Sequence, residues 1–176
     1  MPEKCPIEKI AEIISNNDAD VMKEIDICVH DTDTYFKDNA VNYEERGITT
    51  EVIKEAEIEE DELRWLGMLD ILQKYNYAWE VDTSDFLEDF IDTVQDFNGT
   101  KSNNLPINED WFDEDAEIFE WCEVLDGYWA SEGYCIADIE FDGDDLFLFP
   151  CPIEQLEELN KLAEEEGYSI GYAKNM

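Results

Sequence analysis

The chain has 176 residues, of which 48 are acidic and 11 basic, for a formal net charge of −37. A surface this negative repels nucleic-acid phosphates, anionic lipid heads and nucleotides, so direct nucleic-acid binding and membrane attachment are excluded as expectations. Hydrophobic residues make up 44% and aromatics 12%, which feeds a real core and argues against an acidic disordered chain, whose composition lacks aromatics.

The elements follow in chain order. Pro6 suits the first position of a helix carrying Ile7, Ile10, Ile13 and Ile14 on one face. Asn16-Asn17-Asp18 breaks it. A second helix from about Ala19 sets Val21, Met22, Ile25, Cys28 and Val29 at helical spacing. Tyr35, Phe36, Ala40 and Tyr43 predict a third, ending at Gly47. The acidic run 55–62 leads into a helix to about Lys74, with Trp65, Leu66, Leu69 and Leu72 as its stripe; acids at its first turn suit the positive end of the dipole. Tyr77 to Asp82 reads as a strand. Ser84 then caps a helix with Phe86, Leu87, Phe90, Ile91, Val94 and Phe97 inward and Asp85, Glu88, Asp89, Asp92 and Asp96 outward.

Asn98 to Asn108 reads as a loop and is the one candidate internal boundary; the chain is not divided there, because neither half would hold a balanced set of elements. Trp111 opens a further helix whose stripe is Ile118, Trp121, Cys122, Leu125 and Trp129, and Gly133 ends it. Tyr134 to Pro150 is the clearest strand pair. Cys135, Ala137, Ile139 and Phe141 alternate with Ile136, Asp138, Glu140 and Asp142, the period of a half-buried strand with an acidic outer face. Asp142-Gly143 supplies the turn. Leu146 to Phe149 has no polar interruption and reads as covered on both faces. Pro150 and Pro152 stop the sheet and start a helix with Ile153, Leu156, Leu159, Leu162 and Ala163 inside, Gly167 as its C′ residue and a last strand over 168–173. Together these predict one α+β domain over 1–176: a small, mostly antiparallel sheet with a C-terminal strand–strand–helix–strand unit, packed by amphipathic helices.

Catalytic chemistry finds little support. His30 is the sole histidine; a helix end and the neighbouring Asp31 favour its charged form, which suits a structural or surface role. The five cysteines contain no CxxC, and Cys28, Cys122 and Cys135 fall on apolar faces, so buried free thiols are expected. No phosphate-binding glycine loop, nucleophile elbow or zinc-type Cys/His cluster occurs in the sequence. Asp138, Glu140, Asp142 and Gly143 match the first positions of an EF-hand loop, yet the twelfth position is Phe149 where a bidentate Glu is required, and the motif is rejected. No cofactor, metal centre or catalytic residue is expected. The start has no apolar leader, so a cytoplasmic protein is expected.

The acidic runs themselves remain. Each alone is a solvated face, but a net charge of about 2–8 suffices for solubility. Three runs lie beside aromatics, an arrangement that suits an interface with a basic protein, where an aromatic anchor carries affinity and charge accelerates encounter. The expected contact residues are Glu57, Glu59, Glu60 and Asp61; then Glu109, Asp110, Asp113, Glu114 and Asp115 with Trp111 as anchor; then Asp142, Asp144 and Asp145 of the hairpin, which also offer weak cation contacts.

Two stretches carry a resemblance. Tyr77-Ala78-Trp79-Glu80-Val81-Asp82 with the following helix resembles a segment of a bacterial family known as a domain of unknown function; Thr83 stands where that family has tryptophan. Ile136 to Phe149, followed by Ile153 to Gly167, is similar to its C-terminal strand pair and helix. In type, the small acidic chain also resembles immunity proteins of contact-dependent growth inhibition systems, which neutralise toxic nuclease domains. With the acidic surface, that resemblance implies a cytoplasmic, non-enzymatic protein, a monomer when free, that neutralises a basic nuclease toxin, an RNase, by occluding its substrate site or binding beside it. The alternatives are a nucleic-acid mimic that inhibits a DNA-binding or restriction protein, and a carboxylate-based or calcium-dependent hydrolase.

Overall fold

The structure is a computed structural model that describes residues 3–44, 59–141 and 144–175. The chain forms two compact units, Met1–Leu72 and Gln73–Met176. The first unit holds α1 (Pro6–Ile14), α2 (Ala19–His30), α3 (Thr32–Asp38), α4 (Ala40–Glu44) and most of α5 (Glu60–Lys74). The second holds β1 (Trp79–Val81), α6 (Leu87–Asp96), α7 (Asn98–Ser102), α8 (Ile118–Trp129), β2 (Tyr134–Ile139), β3 (Leu146–Pro152), α9 (Ile153–Glu165) and β4 (Ile170–Tyr172). The division falls at Leu72/Gln73, and the Asn98–Asn108 stretch lies inside the second unit.

Local chemistry sets the first unit's joints. Asn16 and Asn17 take left-handed φ values of 53° and 58°, and Asp18 caps α2 by accepting from the Asp20 and Val21 N–H groups. Ile7, Ile10, Val21, Ile25, Tyr35, Trp65, Met68 and Leu72 are among its buried core residues. The 31–44 stretch is two short helices in place of the one expected; the expected stop at Gly47 lies outside the described residues. Gly67 is the point of closest approach: a Cβ there would stand 2.4 Å from Cys28 Sγ and 3.1 Å from Tyr35 Cε1. The mid-helix glycine is therefore a packing requirement for α5 against α2 and α3.

The second unit is built on one antiparallel sheet in the order β1-β3-β2-β4. Helices α6 and α8 lie over one face, where Val81, Phe90, Val94, Trp121, Leu125, Trp129, Ile136 and Leu148 share a core. Helix α9 packs against β2, β3 and β4 and buries Leu156, Leu159, Leu162 and Ala163. The α+β class and the strand–strand–helix–strand unit are as the sequence predicts, as is Gly167 past the end of α9 at φ 87°; Gly133, expected to end α8, instead ends a 3-10 turn, Ala130–Glu132, that follows it, at φ 77°. Cys28, Cys122, Cys135 and Cys151 are buried free thiols, and Cys135 lies directly opposite Cys151 across the β2–β3 ladder.

Several expectations are corrected. Strand β2 is not half-buried: with helices on both sides, Cys135 through Ile139 are all buried, and Asp138 faces the core at 3% exposure. Pro150 and Pro152 do not stop the sheet but pair with Ile136 and Tyr134 inside it. They are tolerated because β1 pairs only with Leu146–Leu148, so beyond it no neighbour needs their missing N–H groups. Ser84 does not cap α6; its N–H and hydroxyl both turn back to Asp82 Oδ1 at 2.8 and 2.7 Å. Phe86, expected inside, is 78% exposed as the N-cap residue of α6. Asn98–Ser102 is a short helix rather than a loop, with Gly99 seated against Pro150. Trp111 belongs to a separate 3-10 turn, Glu109–Trp111, and α8 begins at Ile118 behind a Glu117/Glu120 capping box. Ile153 is 37% exposed. The Asp142-Gly143 turn lies outside the described residues.

Two buried carboxylates knit the second unit's sheet. Asp138 Oδ1 accepts the Phe147 N–H at 2.7 Å, and Asp126 Oδ1 of α8 accepts the Ile136 N–H at 2.8 Å. Lys174 stands 3.4 Å from the other Asp126 oxygen. Burial pushes the Asp138 carboxyl up to about 6, with the Phe147 N–H opposing and the Glu140 charge adding to the shift.

Two predictions follow from these contacts. Gly67→Ala gains about 1 kcal/mol of helix propensity but overpacks the site, which costs about 1–3 kcal/mol or more where the neighbour cannot move. We expect net destabilisation in urea unfolding, partly relieved when Cys28→Ala is added; strict additivity of the two substitutions would refute the contact. For Asp138, the folded carboxyl binds more protons than the unfolded one between about pH 4 and pH 6. Its contribution to stability therefore falls as pH rises through that window and stays constant above it. The shift corresponds to about 3 kcal/mol. Asp138→Asn keeps an acceptor for the Phe147 N–H, so we expect higher stability than wild type at neutral pH and convergence of the two proteins toward about pH 4. Identical pH profiles would contradict the buried charge.

Candidate functional site

The 106–117 stretch is held in place by α8. Trp129 Nε1 donates to the Pro106 carbonyl at 2.7 Å, and Trp121 Nε1 donates to the Asp113 carbonyl at 2.8 Å. Local side-chain acceptors shape the turns: Asn108 Oδ1 takes the Asp110 N–H and Asp113 Oδ1 the Asp115 N–H, both at 3.0 Å. In this frame Trp111 lies flat on Tyr128 of α8, with ring centroids 3.7 Å apart and planes 6° from parallel. Tyr128 is 48% exposed and Trp111 is half-buried.

The stack is anchored from below. Trp111 neighbours Phe112 at 6.4 Å, Phe112 meets Phe90 edge-on at 6.0 Å, and Phe90 packs on Trp121 at 5.4 Å. A continuous line of rings therefore joins the surface pair to the core, and the pair is pre-organised. Glu109, Asp110, Asp113, Glu114 and Asp115 are all exposed along the same stretch. Among the described residues, none of these five carboxylates forms an ion pair. A rigid aromatic face beside unneutralised carboxylates is suited to guanidinium and ammonium groups, through cation–π contact and charge-assisted hydrogen bonds together.

The other expected residues fall elsewhere. Asp145 joins Asp82, Asp85 and Asp89 where β3 begins near the start of α6. There burial raises the Asp85 carboxyl, and the charges of Asp82, Asp89 and Asp145 add to it. Exposed Phe86 adjoins this cluster in sequence, so a second acidic surface with an aromatic exists that the helical periodicity hid. Asp144 is exposed beside it. In the first unit, Glu59, Glu60 and Asp61 are exposed at the start of α5, but Glu60 and Asp61 are tied to Arg64 at 2.8 and 3.2 Å. That run is partly neutralised from within. Glu57 and Asp142 lie outside the described residues.

The sequence places His30 at a helix end beside Asp31. In the structure His30 Nε2 lies 3.0 Å from Glu8 Oε1 of α1 and 3.9 Å from Asp26 Oδ1, one turn earlier in α2. Burial raises the Glu8 carboxyl, but hydrogen bonds from the Cys5 N–H and from His30 outweigh it and leave Glu8 below its ordinary value. A separation of 22 residues between His30 and Glu8 left no local signal of this contact. Among the described residues no helix is long and apolar enough to cross a membrane.

No curated protein and no solved structure matches the chain. A family model described as "Domain of unknown function (DUF6630)" matches residues 6–174 and so takes in both units, including the 77–97 and 136–167 stretches that carried the resemblance. The chain belongs to the DUF6630 family.

Proposed function

We propose that this protein is a cytoplasmic immunity protein that binds and neutralises a basic nuclease toxin domain, an RNase. The observation that carries the reading is the Trp111–Tyr128 stack, fixed to the core and lined by unpaired carboxylates. A ribonuclease needs a cationic cleft to hold phosphates. An acidic partner competes for that cleft, and its charge of −37 steers encounter toward the upper range of association rates. The stack then supplies the contact that slows dissociation.

The direct test is a pull-down from the native host with tagged protein, eluted in steps of rising salt and read by mass spectrometry. Recovery of a small basic nuclease domain that stays bound well beyond about 0.15 M salt supports the reading. A large DNA-binding enzyme would replace it with nucleic-acid mimicry, and only abundant basic proteins leaving at low salt would overturn it. With the recovered domain in hand, Trp111→Ala and Tyr128→Ala should each weaken binding by about 30-fold or more, mainly through faster dissociation. Neutralising Glu109 and Asp110 should slow association and flatten its salt dependence. Neutralising Glu60 and Asp61, already engaged by Arg64, should change it less. Equal effects at the two sites would reject the assignment of the contact face.

A further inference from the structure

Within the first unit, three side chains that ligate metals converge on one point. The donor atoms of Glu8, Asp26 and His30 all lie within 4.8 Å of one another. A divalent ion bound at about 2.0–2.2 Å to each of three donors holds them about 3.0–3.5 Å apart at octahedral to tetrahedral angles. The His30–Glu8 separation of 3.0 Å is already in that range, and the His30–Asp26 separation of 3.9 Å is slightly open. The Asp26 side chain is 72% exposed and so has room to turn toward the imidazole.

The sequence frame supports the convergence. Asp26 and His30 stand one helical turn apart on α2, so both project from one face. Glu8 comes from the first turn of α1, where the Cys5 N–H donates to its other oxygen, Oε2, at 2.8 Å. That bond orients the carboxylate and leaves Oε1 toward the imidazole, the arrangement by which an outer group positions a metal ligand. A His–Glu ion pair and an i,i+4 pair with Asp26 account for the two distances singly; together they bring two carboxylates to the same imidazole nitrogen. Metal binding would displace the proton between Nε2 and Glu8 into solvent; the donors are then one nitrogen lone pair and two carboxylate oxygens, a set of charge −2 that a divalent cation neutralises.

We infer that Glu8, Asp26 and His30 form a binding site for a divalent first-row transition metal, zinc foremost. The imidazole is what separates this site from the remaining acids, which attract calcium and magnesium as a diffuse negative surface. Three protein donors leave at least one coordination position for water or a further ligand. The site is built from residues of the first unit, and the proposed toxin interface from residues of the second.

The sole histidine makes the test specific. The imidazole nitrogen resonances of the full-length protein would be followed by NMR during a zinc chloride titration in excess magnesium, with thermal unfolding in parallel. The expected result is a change at the His30 Nε2 resonance that saturates at one equivalent, accompanied by a rise in Tm. Asp26→Asn, at an exposed position, should leave the metal-free Tm unchanged and weaken zinc binding at least tenfold, and His30→Gln should abolish the saturable phase. Zinc binding without a change at His30, displacement by magnesium, or wild-type affinity in Asp26→Asn would each overturn the site.

Discussion

Strands β2 and β3 are covered on both faces, and much of the second unit is arranged around that constraint. A strand between two helical layers has no solvent side on which to place polar groups. Its backbone must be satisfied internally, and a polar side chain in it must find a partner. Asp138 does this by taking the Phe147 N–H across the hairpin, and Asp126 by reaching from α8 to the Ile136 N–H at the point where β4 no longer accompanies β2. Two buried carboxylates in so acidic a protein are thus structural acceptors for backbone groups. They are not leftovers of the surface charge, and they set it apart from an inner chemistry in which carboxyl groups are few and individually assigned.

The surface follows a different logic. Exposed pairs such as Glu157–Lys161 and Lys4–Glu12 contribute little each, and with 11 basic residues for 48 acids they leave most carboxylates uncompensated. Self-repulsion on that scale costs stability, and the aromatic core beneath must offset it. The line of rings from Trp121 through Phe90 and Phe112 to Trp111 shows how the two are joined, since the same apolar packing that stabilises the unit ends as a fixed platform among the charges.

What the sequence made legible was local. Asn16-Asn17, Gly133 and Gly167 announced the joints because each accepts a left-handed backbone, and the β2–α9 pattern announced the C-terminal unit because its periods are unambiguous. What stayed hidden depended on distant neighbours. Phe86 has the right spacing for an inward helical residue, but α6 starts after it and leaves it largely exposed among the described residues. Asp138 alternates like an outward residue and is buried because helices lie on both sides. Trp111 sits a short way before an apolar stripe, and only the Asp113 and Pro106 carbonyls, drawn in by Trp121 and Trp129, separate its turn from α8. Of the candidate site, the acidic runs and the Trp111 anchor could be named from residue type; Tyr128 as its stacking partner, and Glu8 with Asp26 around His30, could not.

Cys135 and Cys151 stand opposite each other one pair in from the open end of the β2–β3 hairpin, both fully buried, and the Cys151 sulfur rests 3.3 Å from the Pro152 carbonyl. The hydrogen bond to Cys135 and burial push the Cys151 thiol far above its ordinary value, and both sulfurs are shut away from solvent while the hairpin is closed. Reagent can reach them only when β2 and β3 separate. The pair is therefore an internal clock for the protein: the rate at which it is labelled measures how often the sheet opens.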